Sequence, residues 1–136
     1  MKKILLLAVI VCLCAIIPSA NFAEDRATIR LARTIYAMAG DESYDGKLAV
    51  GTVVMNRVES PWYPNDLEKV LSQKHQFPSG SRYDEESLRA AHAVLSGDRG
   101  LDADVIDLQA KDAASPRPDA PAAEKGNYNF YTTQWR

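Results

Sequence analysis

Apolar and polar residues follow a helical period along most of the chain. Over residues 25–39, apolar residues recur at spacings of three and four, which predicts an amphipathic helix that ends near Gly40. Residues 47–58 are apolar on most faces, as expected of a buried helix, and Ser43 precedes them as the predicted N-cap. The first half of the domain is therefore predicted to be a pair of packed helices.

Two further helices and one strand are predicted downstream. Asn65 followed by Glu68 forms a capping-box pattern, which opens a short helix that is predicted to run to about Lys74. Asp84 is the predicted N-cap of another helix, which Gly97 ends. The alternating aromatic run 127–133 predicts a strand. The pattern as a whole predicts a mostly helical α+β domain with a small extended element at its end.

The helical period disappears between the last predicted helix and the predicted strand. Residues 98–126 are rich in Asp, Ala and Pro, and three of the prolines lie close together. This composition predicts a long, mobile surface loop. Val105, Ile106 and Leu108 are the apolar residues from which a short ordered piece is expected within it.

The first 23 residues have the layout of a secretory signal peptide. Lys2 and Lys3 precede an almost unbroken apolar run, and small residues follow it. The run is shorter than the roughly 20 apolar residues of a membrane-spanning helix, and an uncleaved N-terminal anchor is the alternative interpretation. Both cysteines lie in this segment, so we expect a single exported domain over residues 24–136 without disulfide, thiol nucleophile or Cys-based metal site.

Charge and motif content narrow the range of functions. The formal net charge is −2 at pH 7 and no basic run is present, so nucleic acid and anionic membranes are poor candidate partners. His75 and His92 have no neighbouring ligand pattern, which argues against a metal site. Neither a Gly-rich phosphate loop nor a nucleophile-elbow serine occurs, so nucleotide and serine-hydrolase chemistry have no support.

The corner between the first two predicted helices holds the acidic pair Asp41 and Glu42. Cleavage of a glycan needs a carboxylic acid that protonates the leaving oxygen, and partial burial beside apolar groups keeps such an acid protonated. In this interpretation Glu42 is the candidate acid, and Asp41 or Asp45 adjusts the local charge. Acidic residues before a helix N-terminus are also ordinary capping and dipole partners, and spacing alone favours this second interpretation.

Five other side chains are candidate substrate contacts. Asn56 has the groups to hydrogen-bond a sugar amide, and Arg57 has those to pair with a carboxylate. Gln76 and Phe77 follow a helix, where they are expected to line a groove with Phe77 stacking on a sugar ring. Tyr131 belongs to the closing aromatic cluster, on which sugars also stack. A structural role, as a polar helix end or as core packing, stays open for these residues.

Several of these segments, in this order and spacing, resemble the SleB/CwlJ-type cell wall hydrolases, a family that includes spore cortex-lytic enzyme-like domains. The resemblance runs through residues 31–37, 46–50, 54–58, 60–64, 70–71, 76–77, 90–97 and the closing aromatic run. It implies a lysozyme-like domain that is exported to the cell envelope and cuts peptidoglycan glycan strands. The implied activity is that of a muramidase or lytic transglycosylase, without metal or organic cofactor.

The chain departs from the family pattern at the helix corner. The first glutamate of the family's corner, to which the resemblance assigns the role of acid, falls on Met38, and the second matches Glu42. The family's arginine falls on Gly40, and the asparagine of its closing motif falls on Thr132. A thioether has no proton to donate, which leaves the activity of the domain open.

Three hypotheses about function follow from these departures. The chain is an active enzyme with Glu42 or Asp41 as a displaced acid, or an inactive relative that binds peptidoglycan or modulates a partner enzyme. The third hypothesis is an envelope interaction module that shares only the fold. We expect a monomer that contacts peptidoglycan, with an envelope protein as a second potential partner.

Overall fold

The computed structural model describes residues 25–134, and these form four helices and three strands. The predicted signal peptide over residues 1–23 lies outside the described residues. The elements, in chain order, are α1 (Arg26–Ala39), α2 (Tyr44–Glu59), α3 (Leu67–Leu71), α4 (Glu85–Leu95), β1 (Asp107–Ala110), β2 (Ala123–Lys125) and β3 (Tyr128–Tyr131). The predicted class, mostly helical α+β, is confirmed. Within residues 25–134, no helix combines the length and apolar character that a membrane crossing requires.

Side-chain caps fix where the helices begin. Ser43 and Asp84 each accept the backbone N–H of the residue three positions on, as predicted. The predicted cap of α3 was one residue early, because Asp66 rather than Asn65 accepts the N–H of Lys69, at 2.9 Å. α3 is also shorter than predicted, at five residues.

The buried helix α2 lies at the centre of the domain. It packs with α1 and α4, and Gly51 allows their close approach, because a Cβ there would lie 3.0 Å from Ile35 and 3.2 Å from Val94. Another face of α2 packs on the sheet, where Val53 and Phe130 belong to one buried cluster. These two interfaces explain why the sequence of α2 is apolar on most of its faces.

The last described strand, β3, is the central strand of an antiparallel sheet with the order β1–β3–β2. Phe130 pairs with Leu108 on one side and with Ala123 on the other. β2 and β3 are joined by Gly126 and Asn127, and Gly126 has φ +52°, a backbone conformation that favours glycine. The strand predicted from the aromatic run is confirmed.

The segment 98–126 differs from the irregular loop that its composition predicts, because it contains β1 and β2. Both strands pair with β3, β1 from a distant part of the chain and β2 across the turn at Gly126 and Asn127, and this pairing outweighs the weak strand propensity of Asp, Ala and Lys residues. Val105 is buried and Leu108 belongs to β1, in agreement with the short ordered piece expected there. The mobility of the segment stays a prediction.

A buried ion-pair network joins the sheet to α2. Asp107 accepts hydrogen bonds from Arg57 Nη2 and Arg117 Nη1, each at 2.9 Å, and both arginine side chains are 2% exposed. Arg57 Nε also donates to the carbonyl of Ile106 at 2.6 Å. Burial lowers the pKa of Arg57, and the charge of Asp107 opposes that effect. A guanidinium is tolerated inside a protein only when such partners compensate its lost hydration.

We predict that Asp107→Ala lowers the free energy of unfolding by about 3–5 kcal/mol, because two buried guanidinium groups then lose a carboxylate. Urea unfolding at pH 7 measures this change. Glu124→Ala is the control, because it removes only the more exposed pair with Lys111, which should be worth less than about 1 kcal/mol. Equal losses for the two variants would contradict the prediction.

A second buried cation makes the fold sensitive to acid. Lys47 is 2% exposed, and its Nζ donates to Glu86 at 2.8 Å and to Asp84 at 3.3 Å. Burial acts to raise the pKa of Asp84, but hydrogen bonds from Ser87 and Lys47 outweigh it and hold that pKa below the ordinary value of 3.8. The ionised form of Asp84 therefore stabilises the fold above that value, and this contribution is lost as the pH falls through the lowered pKa.

We predict that Asp84→Asn destabilises the domain at pH 7, because asparagine still caps α4 but removes a charge that faces Lys47. The difference from the wild type should narrow as the pH falls below the ordinary carboxyl pKa, about 4. Thermal unfolding of both proteins between pH 7 and pH 3 tests this, and a difference that stays constant with pH would count against it.

Candidate functional site

A cavity of about 570 Å³ opens at the corner between α1 and α2. Its walls also include Arg82, the residues that follow β1, and the turn between β2 and β3. The carboxylates of Asp41, Glu42 and Asp112 line it together with two cationic side chains, Arg82 and Lys111. The acidic pair that the sequence singled out therefore lies at a cavity, where ionisable groups of both signs come together.

The carboxylate of Glu42 is held in place by the turn between β2 and β3. Glu42 is half-buried, and its Oε1 and Oε2 lie 3.2 Å and 3.4 Å from the backbone nitrogen of Asn127, which donates to them. Its side chain occupies the space beside two glycines, because a Cβ at Gly46 or Gly126 would collide with it. Asp41, in contrast, is exposed. Of the two predicted acids, Glu42 is the one whose position the fold determines.

Tyr128 and Met38 also line this cavity. The hydroxyl of Tyr128 donates to the carbonyl of Met38 at 2.6 Å. Burial, followed by the nearby charges of Glu42 and Asp112, raises the pKa of Tyr128, so its phenol stays neutral and keeps the proton that it donates. The side chain of Met38 packs against the main core. The position at which the resemblance expects an acid therefore belongs to the same cavity as Glu42.

The candidate Asn56 lies near the other end of α2 and is buried among protein partners. Its Nδ2 donates to the carbonyls of Asp102 and Val105, at 2.8 Å and 2.9 Å. These bonds use both hydrogens of the amide and anchor the loop that precedes β1. A direct contact between Asn56 and substrate stays a prediction, and it would have to use the amide oxygen, Oδ1.

The candidates Arg57, Gln76 and Phe77 form one cluster. Arg57 Nη1 donates to Gln76 Oε1 at 3.0 Å, and the guanidinium lies 4.8 Å from the centre of the Phe77 ring. Phe77 is only 9% exposed, so packing under Arg57 is its observed contact. The roles of these residues in substrate binding stay predictions.

The candidate Tyr131 is separate from the corner cavity. It is 3% exposed, and the guanidinium of Arg117 lies 3.8 Å from the centre of its ring. None of the five candidate substrate contacts is among the described residues that line the corner cavity. The structure thus gathers the two predicted acids at one place and the five candidate contacts elsewhere.

Several residues of the corner cavity were missed from the sequence. Tyr36 belongs to α1, and Lys111 and Asp112 lie within the segment that the composition predicts to be irregular. Arg82 lies 5.9 Å from the centre of the Tyr36 ring and carried no recognisable motif. Lys111 and Asp112 directly follow β1, so a prediction of β1 would have placed them at the end of a strand. β1 is not recognisable from local sequence, because it forms only by pairing with β3.

The fold and this site define a small, mostly helical α+β domain with a carboxylate-lined cavity at a helix corner. Residues 41–106 match the family model described as Cell Wall Hydrolase. This match confirms the resemblance to the cell wall hydrolases that was found in the sequence.

Curated relatives match a segment of 75 residues. The chain is 33% identical over this length to the spore cortex-lytic enzyme of Bacillus subtilis (strain 168), a match that covers 53% of this chain and 25% of that protein. It is 31% identical over 75 residues to the spore cortex-lytic enzyme of Oceanobacillus iheyensis, covering 53% of this chain and 27% of the relative. The chain thus spans about a quarter of the length of these relatives.

Two solved structures share the fold. The catalytic domain of the Bacillus cereus SleB protein matches with a TM-score of 0.70 at 20% identity, over 77% of this chain and 88% of that one. The catalytic domain of the germination-specific lytic transglycosylase SleB from Bacillus anthracis also has a TM-score of 0.70 at 20% identity, over 80% of this chain and 97% of that one. These likenesses confirm the predicted lysozyme-like architecture.

We predict that Gly126→Ala destabilises the domain for two separable reasons, the positive φ of the residue and the collision of a new methyl group with Glu42. The collision part should disappear in a Glu42→Ala background, so a double-mutant cycle is expected to give a coupling of about 1 kcal/mol. Thermal or urea unfolding of the four proteins measures it.

Gly97→Ala is the matched control for this cycle. Gly97 also has a positive φ, of +97°, but a Cβ there would meet nothing within 4 Å. Its destabilisation should be the same with glutamate or alanine at position 42. A coupling at Gly126 no larger than that at Gly97 would mean that Glu42 is not held against the turn.

Proposed function

We propose that this chain is an exported cell wall hydrolase that cleaves the glycan strands of peptidoglycan, as a muramidase or lytic transglycosylase. The match of residues 41–106 to the Cell Wall Hydrolase family model supports the substrate class. The observation that carries the proposal is the carboxylate of Glu42, which lies in a cavity at the helix corner and is held by the backbone N–H of Asn127.

In this proposal Glu42 protonates the oxygen of the glycosidic bond as that bond breaks. Positive charge then develops on the sugar, and the carboxylates of Asp41 and Asp112, which line the same cavity, stabilise it. Tyr128, a neutral phenol that belongs to the cavity wall, helps to shape the surface on which the sugar lies. All of these groups belong to the chain itself, and the proposed reaction uses neither a metal nor an organic cofactor.

The two reaction types differ in what attacks the cleaved sugar. In a muramidase a water molecule attacks the cleaved sugar, whereas in a lytic transglycosylase a hydroxyl group of the same sugar does so, and in both cases the attacking group returns its proton to the Glu42 carboxylate. The products of hydrolysis are therefore heavier by one water molecule. Mass spectrometry of released fragments distinguishes the two types without any assumption about the position of the acid.

We predict that Glu42→Gln reduces the release of soluble fragments from purified peptidoglycan by about 100-fold or more, because an amide has no acidic proton to donate. The rate of fragment release by wild type and variant tests this. Glu85→Gln is the control, since Glu85 is an exposed acid of α4 outside the cavity, and it should release fragments at the wild-type rate. Undiminished release by Glu42→Gln would rule out Glu42 as the acid.

A second candidate function rests on Met38. The resemblance places the family's acid at this residue, and Met38 lines the same cavity as Glu42. In this alternative the domain is an inactive relative that binds peptidoglycan or modulates a partner enzyme of the envelope. The wild type would then release no fragments, and Met38→Glu, which restores a carboxyl group in the cavity, would gain activity.

The proposed location follows from the proposed substrate. Peptidoglycan lies outside the cytoplasmic membrane, and the signal peptide predicted over residues 1–23 would deliver the domain there. In this proposal the exported domain comprises residues 24–136 and acts as a monomer.

A further inference from the structure

A second cavity, of about 540 Å³, lies at the other end of α2. Its walls come from the end of α2, the turn over residues 60–62, the residues that precede β1, and Thr132 after β3. α2 is 16 residues long and rises about 1.5 Å per residue, so the two cavities lie roughly 20 Å apart. The second cavity is therefore a separate site and not an extension of the corner cavity.

Trp62 forms part of the wall of this second cavity and is 86% exposed. A single exposed apolar side chain is ordinary, but this one borders a cavity, and the ring of Pro61 restricts the backbone before it. The backbone N–H of Trp62 also donates to Ser60 Oγ at 3.3 Å. The indole is thus an apolar surface on a constrained turn, with most of its area free to cover a ligand.

Asn56 supplies a polar group on the same wall. The residue is 2% exposed, and its Oδ1 has no hydrogen-bond partner, whereas its Nδ2 donates to two carbonyls. A buried acceptor without a partner is costly, and this one has almost no accessible surface, so a ligand N–H group satisfies it when the cavity wall opens slightly at this atom. This atom indicates a hydrogen-bond donor in the ligand.

The charges around the second cavity restrict the ligand further. Two acidic residues, Glu59 and Asp104, line it, and none of its described lining residues is a lysine or arginine. Glu59 pairs with Arg99, outside the lining. Phosphate and other anions are therefore disfavoured. A neutral ligand with hydroxyl groups, an amide N–H and an apolar face fits these walls, and N-acetylated sugars have all three.

We propose that the second cavity binds an N-acetylated sugar, with Trp62 stacked on the sugar ring and Asn56 Oδ1 accepting the N–H of the acetamido group. The inference rests on the proposed function, because peptidoglycan is the source of that sugar. The site would hold a glycan strand at a distance from the corner cavity and so raise the affinity for the polymer without taking part in the bond cleavage.

The test uses binding of a β-1,4-linked N-acetylglucosamine tetramer to the purified protein in a Glu42→Gln background, where cleavage is suppressed. The chain has two tryptophans, so Trp135→Phe leaves Trp62 as the single indole, and its fluorescence reports on this cavity. The expected result is a saturable change in that fluorescence with the tetramer. A glucose tetramer of the same linkage, which lacks the acetamido group, should bind about tenfold more weakly.

Variants of Trp62 separate stacking from folding. Calorimetric titration of the same tetramer should show about a tenfold loss of affinity in Trp62→Ala, and Trp62→Tyr, which keeps an aromatic face, should recover most of it. Tyr83→Ala, at a second exposed aromatic residue, is the matched control and should bind like the parent protein. The contact with Asn56 is tested with the glucose tetramer and not with a substitution. Replacing Asn56 would also remove the two hydrogen bonds that anchor the loop before β1.

Two results would overturn the inference, namely no fluorescence response of Trp62 to the tetramer or equal affinity in the Trp62→Ala protein. Both measurements report binding alone, so their interpretation does not depend on whether the wild type cleaves peptidoglycan. Conversely, a wild type that releases no fragments but binds the tetramer through Trp62 would contradict the proposed cleavage and leave the second site intact.

Discussion

The contact between Arg57 and Asp107 joins the helical part of the domain to its sheet, and the remaining structure is arranged around it. A charged guanidinium at the end of the most buried helix cannot remain there unless a carboxylate and a carbonyl meet it. The chain supplies both from the start of β1, about 50 residues away, and Arg117 shares the same carboxylate. One polar contact thereby sets where the sheet lies against α2, and with it the distance between the sheet and the helix corner.

The corner cavity depends on that placement. Glu42 comes from the helical part of the domain, whereas the N–H that holds it comes from Asn127, in the turn of the sheet. The position of the carboxylate is therefore a property of the interface between the two parts. Gly126 is required there for space as well as for backbone conformation, since a side chain would take the volume that the carboxylate occupies. Met38 shares the cavity from α1, and its carbonyl is also held from the sheet by the hydroxyl of Tyr128.

Local sequence signals predicted the helices well, because caps and periodicity act within a few residues of each other. Ser43 and Asp84 cap helices as expected, and the misassigned Asn65 is an error of one position between two adjacent capping residues. β1 was not predicted, because its pairing with β3 is non-local. β2 pairs with β3 across a two-residue turn, but its residues Ala, Glu and Lys have weak strand propensity. The ion pair of Arg57 is non-local as well, so it was not predicted, and the role of Arg57 in substrate binding stays a prediction. Its type and position on α2 carry no information about Asp107, and only the folded chain brings the two together.

The order β1–β3–β2 has a consequence for biosynthesis. β3 is the last of the described strands to be synthesised, and both β1 and β2 pair with it. β1 and β2 therefore leave the ribosome before their pairing partner does. The helical core can pack before β3 is synthesised, but neither the sheet nor the turn that holds Glu42 can form until then. A nascent chain that has not reached residue 131 therefore lacks the strand that completes the site, so the order of synthesis makes the site the last part of the described fold that can form.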